Sequence, residues 1–255
     1  MDIKQSRAII TGGASGLGLA TAEMIVNHGG KVNIIDVSEE KFSSLPQKIQ
    51  ESCFFKTADV SKEVSISNCI SDIVREEGPV NLIVNCAGLG SAEKVLNKNG
   101  YHDSDIFNNI INVNLIGTFN VIKISASHMQ NNDLDNDGFR GVIINTASIA
   151  AFDGQIGQAA YSASKSGIVG LTLPVARELS RYGIRICTIA PGLFETPMLK
   201  GLPEKAYQSL VESTLFPKRL GKPSEYALMV KSIYENNMLN GETIRLDGAL
   251  RLAPK

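Results

Sequence analysis

Thr11-Gly12-Gly13-Ala14-Ser15-Gly16-Leu17-Gly18 decides the reading of this chain. An apolar run, Arg7-Ala8-Ile9-Ile10, leads into it, and an amphipathic stretch, Gly18 to His28, leads out of it. A glycine cluster between a strand and a helix is a phosphate-binding turn rather than a generic loop. Gly12 makes the tight turn, Gly16 lets backbone approach a pyrophosphate, and Gly18 lets helix and strand pack closely. The helix amino terminus then offers unpaired N–H groups to the phosphates.

Asp36 closes the next apolar run, about 20 residues past the glycines, where a carboxylate accepts hydrogen bonds from an adenosine ribose. It would repel a 2′-phosphate, and the nearest cation, Lys41, lies several residues on. This favours NAD over NADP. The plain alternative for Asp36 is a carboxylate at a helix amino terminus beside Ser38.

Outward from this unit the pattern repeats. Strands are expected at Arg7–Thr11, Lys31–Asp36, Ser52–Asp59, Asn81–Asn85, Gly141–Ser148, Arg185–Pro191 and Thr243–Asp247. Runs such as Val32-Asn33-Ile34-Ile35 are apolar on both faces, as in a buried parallel sheet. Helices are expected at Gly18–His28, Glu63–Glu77, Ile106–Met129, Tyr161–Tyr182 and Pro223–Asn236. The alternation implies α/β, a single-domain Rossmann fold with a doubly wound parallel sheet of about seven strands and helices on both faces. Ligands then bind beyond the carboxyl ends of the strands, which brings in Asp59 and Val60 after the third strand. After the fourth it brings in Asn85, Cys86, Ala87 and Gly88, whose small members let a nucleoside lie against backbone.

Tyr161-Ser162-Ala163-Ser164-Lys165 places a tyrosine and a lysine on one helix face. Ser148, at the expected end of the fifth strand, lies at the same sheet edge. Tyrosine becomes a useful base only if its pKa falls by about 3 units, roughly 4 kcal/mol, which two nearby cations can supply in a partly dry site. Lys165 and an oxidised nicotinamide would be those cations. Tyr161 would take a hydroxyl proton as hydride leaves carbon, and Ser148 would hold the substrate oxygen. The plain alternative, a surface Tyr/Lys pair, is weakened by the preceding serine and dinucleotide turn.

The remaining features narrow the class. The 255 residues carry a net charge of −1, which gives no basic footprint for nucleic acid or an anionic membrane. No apolar run is expected to reach bilayer-spanning length. Cys53, Cys69, Cys86 and Cys187 form no C-x-x-C pair and read as small buried side chains in a reducing compartment. His28, His102 and His128 share no ligand spacing with them, so no metal is expected. The first strand begins almost at once, which leads to the expectation of no cleaved leader and a cytoplasmic location, or the mitochondrial matrix in a eukaryote. Asn131 to Gly138 reads as a surface loop; its calcium-loop spacing lacks the downstream glutamate. Leu193 to Phe216 reads as a substrate-lid excursion of about 193–216, with prolines flanking Met198–Leu202. Gln155, Gln158, Phe194 and Leu199 are candidates to face the substrate, with loop solvation as the plain alternative for the two glutamines.

Taken together, these residues resemble the short-chain dehydrogenase/reductase family over nearly the whole chain. The match comprises the Thr11–Gly18 glycine run, N-x-A-G at Asn85–Gly88, Ser148, Tyr161, Lys165, and Pro191-Gly192 with Thr196. The resemblance implies that Asn114 holds a water beside Lys165; the alternative is a polar residue at a local kink. The stretches Arg140–Ser148, Gly154–Tyr161, Ile189–Phe194 and Leu239–Ala249 look like the branch that oxidises 3-hydroxyacyl-CoA and some steroid alcohols with NAD. That branch implies an NAD site lined by Ser15, Leu17, Asp36, Asp59, Val60, Cys86, Phe194 and Thr196, and a homotetramer. Between Gly90 and Asn112 this chain is shorter and less basic than that branch. A 3-oxoacyl-carrier-protein reductase competes, although it uses NADPH and Asp36 argues against it. A hydroxysteroid dehydrogenase, a steroid-binding protein and a non-catalytic RNA-processing or structural subunit are the other readings. Near-neutral charge weighs against RNA.

Overall fold

The structure, a computed structural model, describes residues 1–98, 100–197 and 204–254. The strands are β1 Arg7–Thr11, β2 Lys31–Asp36, β3 Cys53–Thr57, β4 Leu82–Asn85, β5 Gly141–Thr146, β6 Ile184–Pro191 and β7 Thr243–Leu246. The helices are α1 Gly16–Asn27, α2 Glu39–Ser43, α3 Gln47–Ser52, α4 Glu63–Glu77, α5 Ser104–Ile111, α6 Gly117–Met129, α7 Ala159–Leu179, α8 Glu204–Ser213 and α9 Pro223–Glu235. One parallel sheet runs in the order β3-β2-β1-β4-β5-β6-β7. The direction of winding therefore reverses between β1 and β4, opening a crevice at their carboxyl ends.

Neighbouring residues in each strand serve opposite faces. Ile10, Ile34, Val84 and Ile144 pack with α1 and α9, through Ala22, Ile25, Tyr226 and Ile233. Ile9, Ile35, Ile83 and Ile143 pack with α4, α6 and α7, through Ile70, Ile73, Val121 and Val175. All eight strand residues are essentially inaccessible, and each such side chain contributes about 1.5–3 kcal/mol of burial. That two-sided demand is why the runs are continuously apolar.

Several expectations need correction. β3 spans Cys53–Thr57, because Ser52 belongs to α3 and the Asp59 carboxylate turns back on Ser61. β5 stops at Thr146, and Ser148 instead caps a short 3-10 turn, Ile149–Ala151, accepting from the Ala150 N–H at 3.1 Å. The single expected helix Ile106–Met129 is α5 and α6 joined by a π-helical turn at Asn112–Ile116. That 26-residue run, Ser104–Met129, is by length and composition long and apolar enough to cross a bilayer, contrary to expectation; half of its apolar 18-residue stretch is buried inside the molecule. Of the expected lid, Met198–Leu202, with Leu199, lies outside the described residues.

Candidate active site

The glycine turn is built as a cradle. Gly12 has φ +63°, and a Cβ on it would lie 2.8 Å from the Ala87 backbone nitrogen. A Cβ on Gly18 would strike the Gly12 carbonyl, so the first turn of α1 can sit on the loop only with glycine there. Ser15 caps α1 in extended backbone, and its hydroxyl makes no capping bond, leaving it and the helix N–H groups for an anion. Thr196 and Pro197 lie beside Gly16, where an added Cβ would stand 3.6 Å from each. Leu17 packs partly into the α1/α9 core.

Asp36 ends β2 and is nearly buried. Its Oδ2 accepts the Ala14 N–H at 3.2 Å and its Oδ1 the Ser38 N–H at 3.3 Å. Both readings of Asp36 therefore meet in one geometry, and Ser38 itself caps α2. Each carboxylate oxygen retains a further lone pair for a ribose hydroxyl. Ala87 and Gly88 follow β4, with Gly88 facing Asn114 and Lys165: an added Cβ would be 3.3 and 3.5 Å from their polar atoms.

Other expected cofactor residues face inward. The Asn85 amide donates to Asn145 Oδ1 at 2.9 Å, joining a buried ladder through Thr188 and Thr172. Its side chain is a rung between strands rather than a wall of the crevice. Val60 is core, with its carbonyl held by Asn120. Phe194 is also core, bridged to Gly221 with its ring against that glycine, so as a substrate-facing side chain it is corrected. Pro191 ends β6, and Gly192 sits against Asp247, its N–H bonded to the Leu246 carbonyl.

Beside the crevice, α7 presents Tyr161 and Lys165. The Ser148 hydroxyl lies near the Tyr161 phenol. Lys165 is 5 % exposed and its Nζ donates to the Thr146 carbonyl at 2.9 Å. Nζ lies 5.7 Å from the Tyr161 ring centroid. Burial pulls the Lys165 ammonium down to about 8, offset in part by Cys86. Burial pushes the Tyr161 phenol above its ordinary value, and the Ser148 hydroxyl only partly reverses this. Burial therefore outweighs Ser148 at Tyr161, where the expected depression also calls on an oxidised nicotinamide. A buried ammonium with one protein acceptor keeps donors for ribose hydroxyls. Together with the cradle and Asp36, this fits a nicotinamide dinucleotide.

Asn114 sits within the π-helical turn and is fully buried. Its Oδ1 accepts the Leu89 N–H at 2.7 Å, and its Nδ2 donates to the Leu89 carbonyl and to Ser164 Oγ at 2.9 and 3.0 Å. It thus ties the loop after β4 to α7. Gln155 and Gln158 bond each other, and Gln155 Nε2 also donates to the Ala253 carbonyl at 3.0 Å. They fasten the carboxyl-terminal tail to the loop before Tyr161. Sequence reasoning missed that fastening and also Arg245, which joins Asp153, Asp247 and the Leu250 carbonyl. No spacing links Arg245 to Asp153 or Gln155 to Ala253, which lie more than 90 positions apart in the chain.

Comparison with known proteins agrees with this geometry. The short chain dehydrogenase family pattern matches residues 6–206. A 3-hydroxyacyl-CoA dehydrogenase type-2 of Drosophila melanogaster is 53 % identical over 254 residues, covering 99 % of this chain and 100 % of the relative. The protein of that name from Homo sapiens is 51 % identical, covering 99 % and 97 %. The crystal structure of 3-hydroxyacyl-CoA dehydrogenase type-2 from Mycobacterium avium superimposes with a TM-score of 0.93 at 37 % identity, covering 99 % and 98 %. Half-identity from end to end, on a fold that gathers Ser148, Tyr161 and Lys165 at the crevice, establishes that this chain is a dehydrogenase belonging to the short chain dehydrogenase family.

Proposed function

We propose that this enzyme interconverts 3-hydroxyacyl-CoA and 3-oxoacyl-CoA with NAD as the electron carrier. The observation that carries the substrate class is the full-length half-identity to enzymes named for that activity. The NAD preference rests on Asp36, whose carboxylate occupies the place a 2′-phosphate would need.

In the oxidation, the substrate hydroxyl lies between Ser148 and Tyr161. Tyr161, as phenolate, accepts the hydroxyl proton while Ser148 holds the oxygen that becomes a carbonyl. Lys165 favours the phenolate by its charge and holds ribose hydroxyls with its remaining protons. NAD, which the glycine turn, Asp36 and Lys165 would hold, would supply the hydride acceptor and, when oxidised, a second positive charge. One proton and one hydride leave the alcohol, and reduction reverses both transfers.

The resemblance also implies a homotetramer. Exposed Phe107, Ile116 and Phe119 on the α5–α6 run and Leu173 on α7 support contact with a second copy, since apolar patches of this kind are costly in water.

The test is steady-state oxidation of NADH with acetoacetyl-CoA, with NADPH in parallel. Turnover with NADH, weak with NADPH, and reduced about 10²- to 10⁴-fold in Tyr161→Phe is expected for loss of a proton-transfer group. An NADPH preference would move the enzyme toward carrier-protein reductases. NADH binding without turnover would keep the chemistry and move the substrate to another hydroxy compound, such as a steroid.

A further inference from the structure

We infer that Tyr226 is a positioning residue for Lys165, reaching it from the opposite side of the sheet through Thr146. This rests on the reading of Tyr161 and Lys165 as the proton-transfer pair. Thr146 supplies the carbonyl that accepts from Lys165 Nζ. It is the last residue of β5, after which the chain leaves the sheet. The Ala147 N–H of the same peptide unit donates to the Ile189 carbonyl at 2.8 Å, which holds that unit on its β6 side.

The side chain of Thr146 adds a second hold, from α9. Its Oγ1 lies 2.7 Å from Tyr226 Oη, and either oxygen can be the donor. Thr146 Oγ1 also donates to Cys86 Sγ at 3.5 Å, and Cys86 Sγ to Tyr226 Oη at 3.7 Å. Tyr226 is 0 % exposed on α9, and its ring belongs to the α1/α9 core with Ile34, Val84 and Ile144. A ring packed on all sides cannot swing away, so its hydroxyl is a fixed post. The post holds the end of β5 to α9, while Cys86 adds the end of β4. The chain of contacts is then Tyr226 hydroxyl, Thr146 side chain, Thr146 carbonyl, Lys165 ammonium.

The titratable groups facing this chain are Cys86 from β4, Tyr226 from α9, and Tyr161 with Lys165 from α7. Burial lifts the two tyrosines and the cysteine, so each is neutral near pH 7 and Lys165 carries the charge. A carbonyl acceptor favours the ammonium form. If the carbonyl loosens, Lys165 loses its proton at lower pH, and the Tyr161 phenolate loses support and forms at higher pH. The pH window for alcohol oxidation narrows from both sides.

The test compares wild type, Tyr226→Phe, Thr146→Val and the double variant in NAD-linked oxidation of 3-hydroxybutyryl-CoA across pH. Tyr226→Phe keeps the ring and the core. Each single change should lower kcat about 3- to 10-fold, the worth of one hydrogen bond, with KM for NAD little altered. The acid limb should rise and the alkaline limb fall by about half a pH unit each. The double variant should lose no more than either single one, since both remove the same bond. Thr146→Ser, which keeps the hydroxyl, should restore the profile. A second measurement needs no substrate: competitive acetylation of Lys165 by trace acetic anhydride, read by mass spectrometry across pH. The Lys165 midpoint should fall in Tyr226→Phe and in Thr146→Val and return in Thr146→Ser. Lost turnover in wild type with that shift present would overturn the substrate reading alone. An unchanged Lys165 midpoint, with only a lower melting temperature, would make Tyr226 a structural residue and overturn the inference.

Discussion

At the residue scale, Asp36 and Lys165 carry the sharpest consequences. Asp36 is tied to the Ala14 and Ser38 N–H groups and offers its remaining lone pairs to a ribose. Asp36→Ala should raise KM for NADH about 10- to 100-fold, the value of charge-assisted hydrogen bonds, and leave KM for NADPH lower than in wild type, as initial-rate kinetics would show. Lys165 is pulled down to about 8 by burial. It is charged below that pH and neutral above it. Support for the Tyr161 phenolate, and with it oxidation, should therefore decline above about pH 8 as Lys165 loses its proton. A kcat profile rising without limit to pH 10 would contradict this. That Ser148, Tyr161 and Lys165 lie near one another was readable in advance because their types and spacing have little other use. The direction of the Tyr161 shift was not, because it depends on what surrounds the phenol: burial, one serine, and a lysine turned to backbone.

At the scale of elements, α1 and the α5–α6 run behave differently. The start of α1 is dictated by glycines whose missing side chains permit contact with backbone. Gly18→Ala should overpack that contact by about 1–3 kcal/mol. For a chain of this size that corresponds to a melting temperature lower by roughly 2–10 °C, with weaker NADH binding by titration calorimetry. The helical run Ser104–Met129 was legible as helix from its apolar period. Its π-helical turn at Asn112–Ile116 was not. One extra residue in a turn barely disturbs a pattern averaged over several turns, yet it occurs at the segment where Asn114 joins Leu89 and Ser164. Strand centres were likewise legible, as were both ends of β1 and β2, whereas the ends of β3 and β5 were not. Ser148 and Asp59 lie beyond their strands because their side chains capture local N–H groups instead of continuing the ladder.

At the scale of the whole molecule, the exposed apolar side chains on α5–α7 predict association. Light scattering behind size exclusion should give about four times the 27.4 kDa chain mass, and Phe119→Glu should shift it to smaller species. The sequence by itself determined the alternation of strand and helix, the glycine turn, the acidic residue that ends β2 and the Ser/Tyr/Lys set. Each is a local signal, set by periodicity or by the few residue types that a given backbone or reaction tolerates. Only the tertiary structure decided which side chains face the crevice and which are rungs or core, as Asn85 and Phe194 show. It also decided that Thr146 and Tyr226 meet 80 positions apart, and that Ile156 bonds the tail at Pro254. Such contacts arise when separate elements pack against a common sheet. Their partners are fixed by the order of strands and by helix placement, neither of which leaves a mark in the neighbouring sequence.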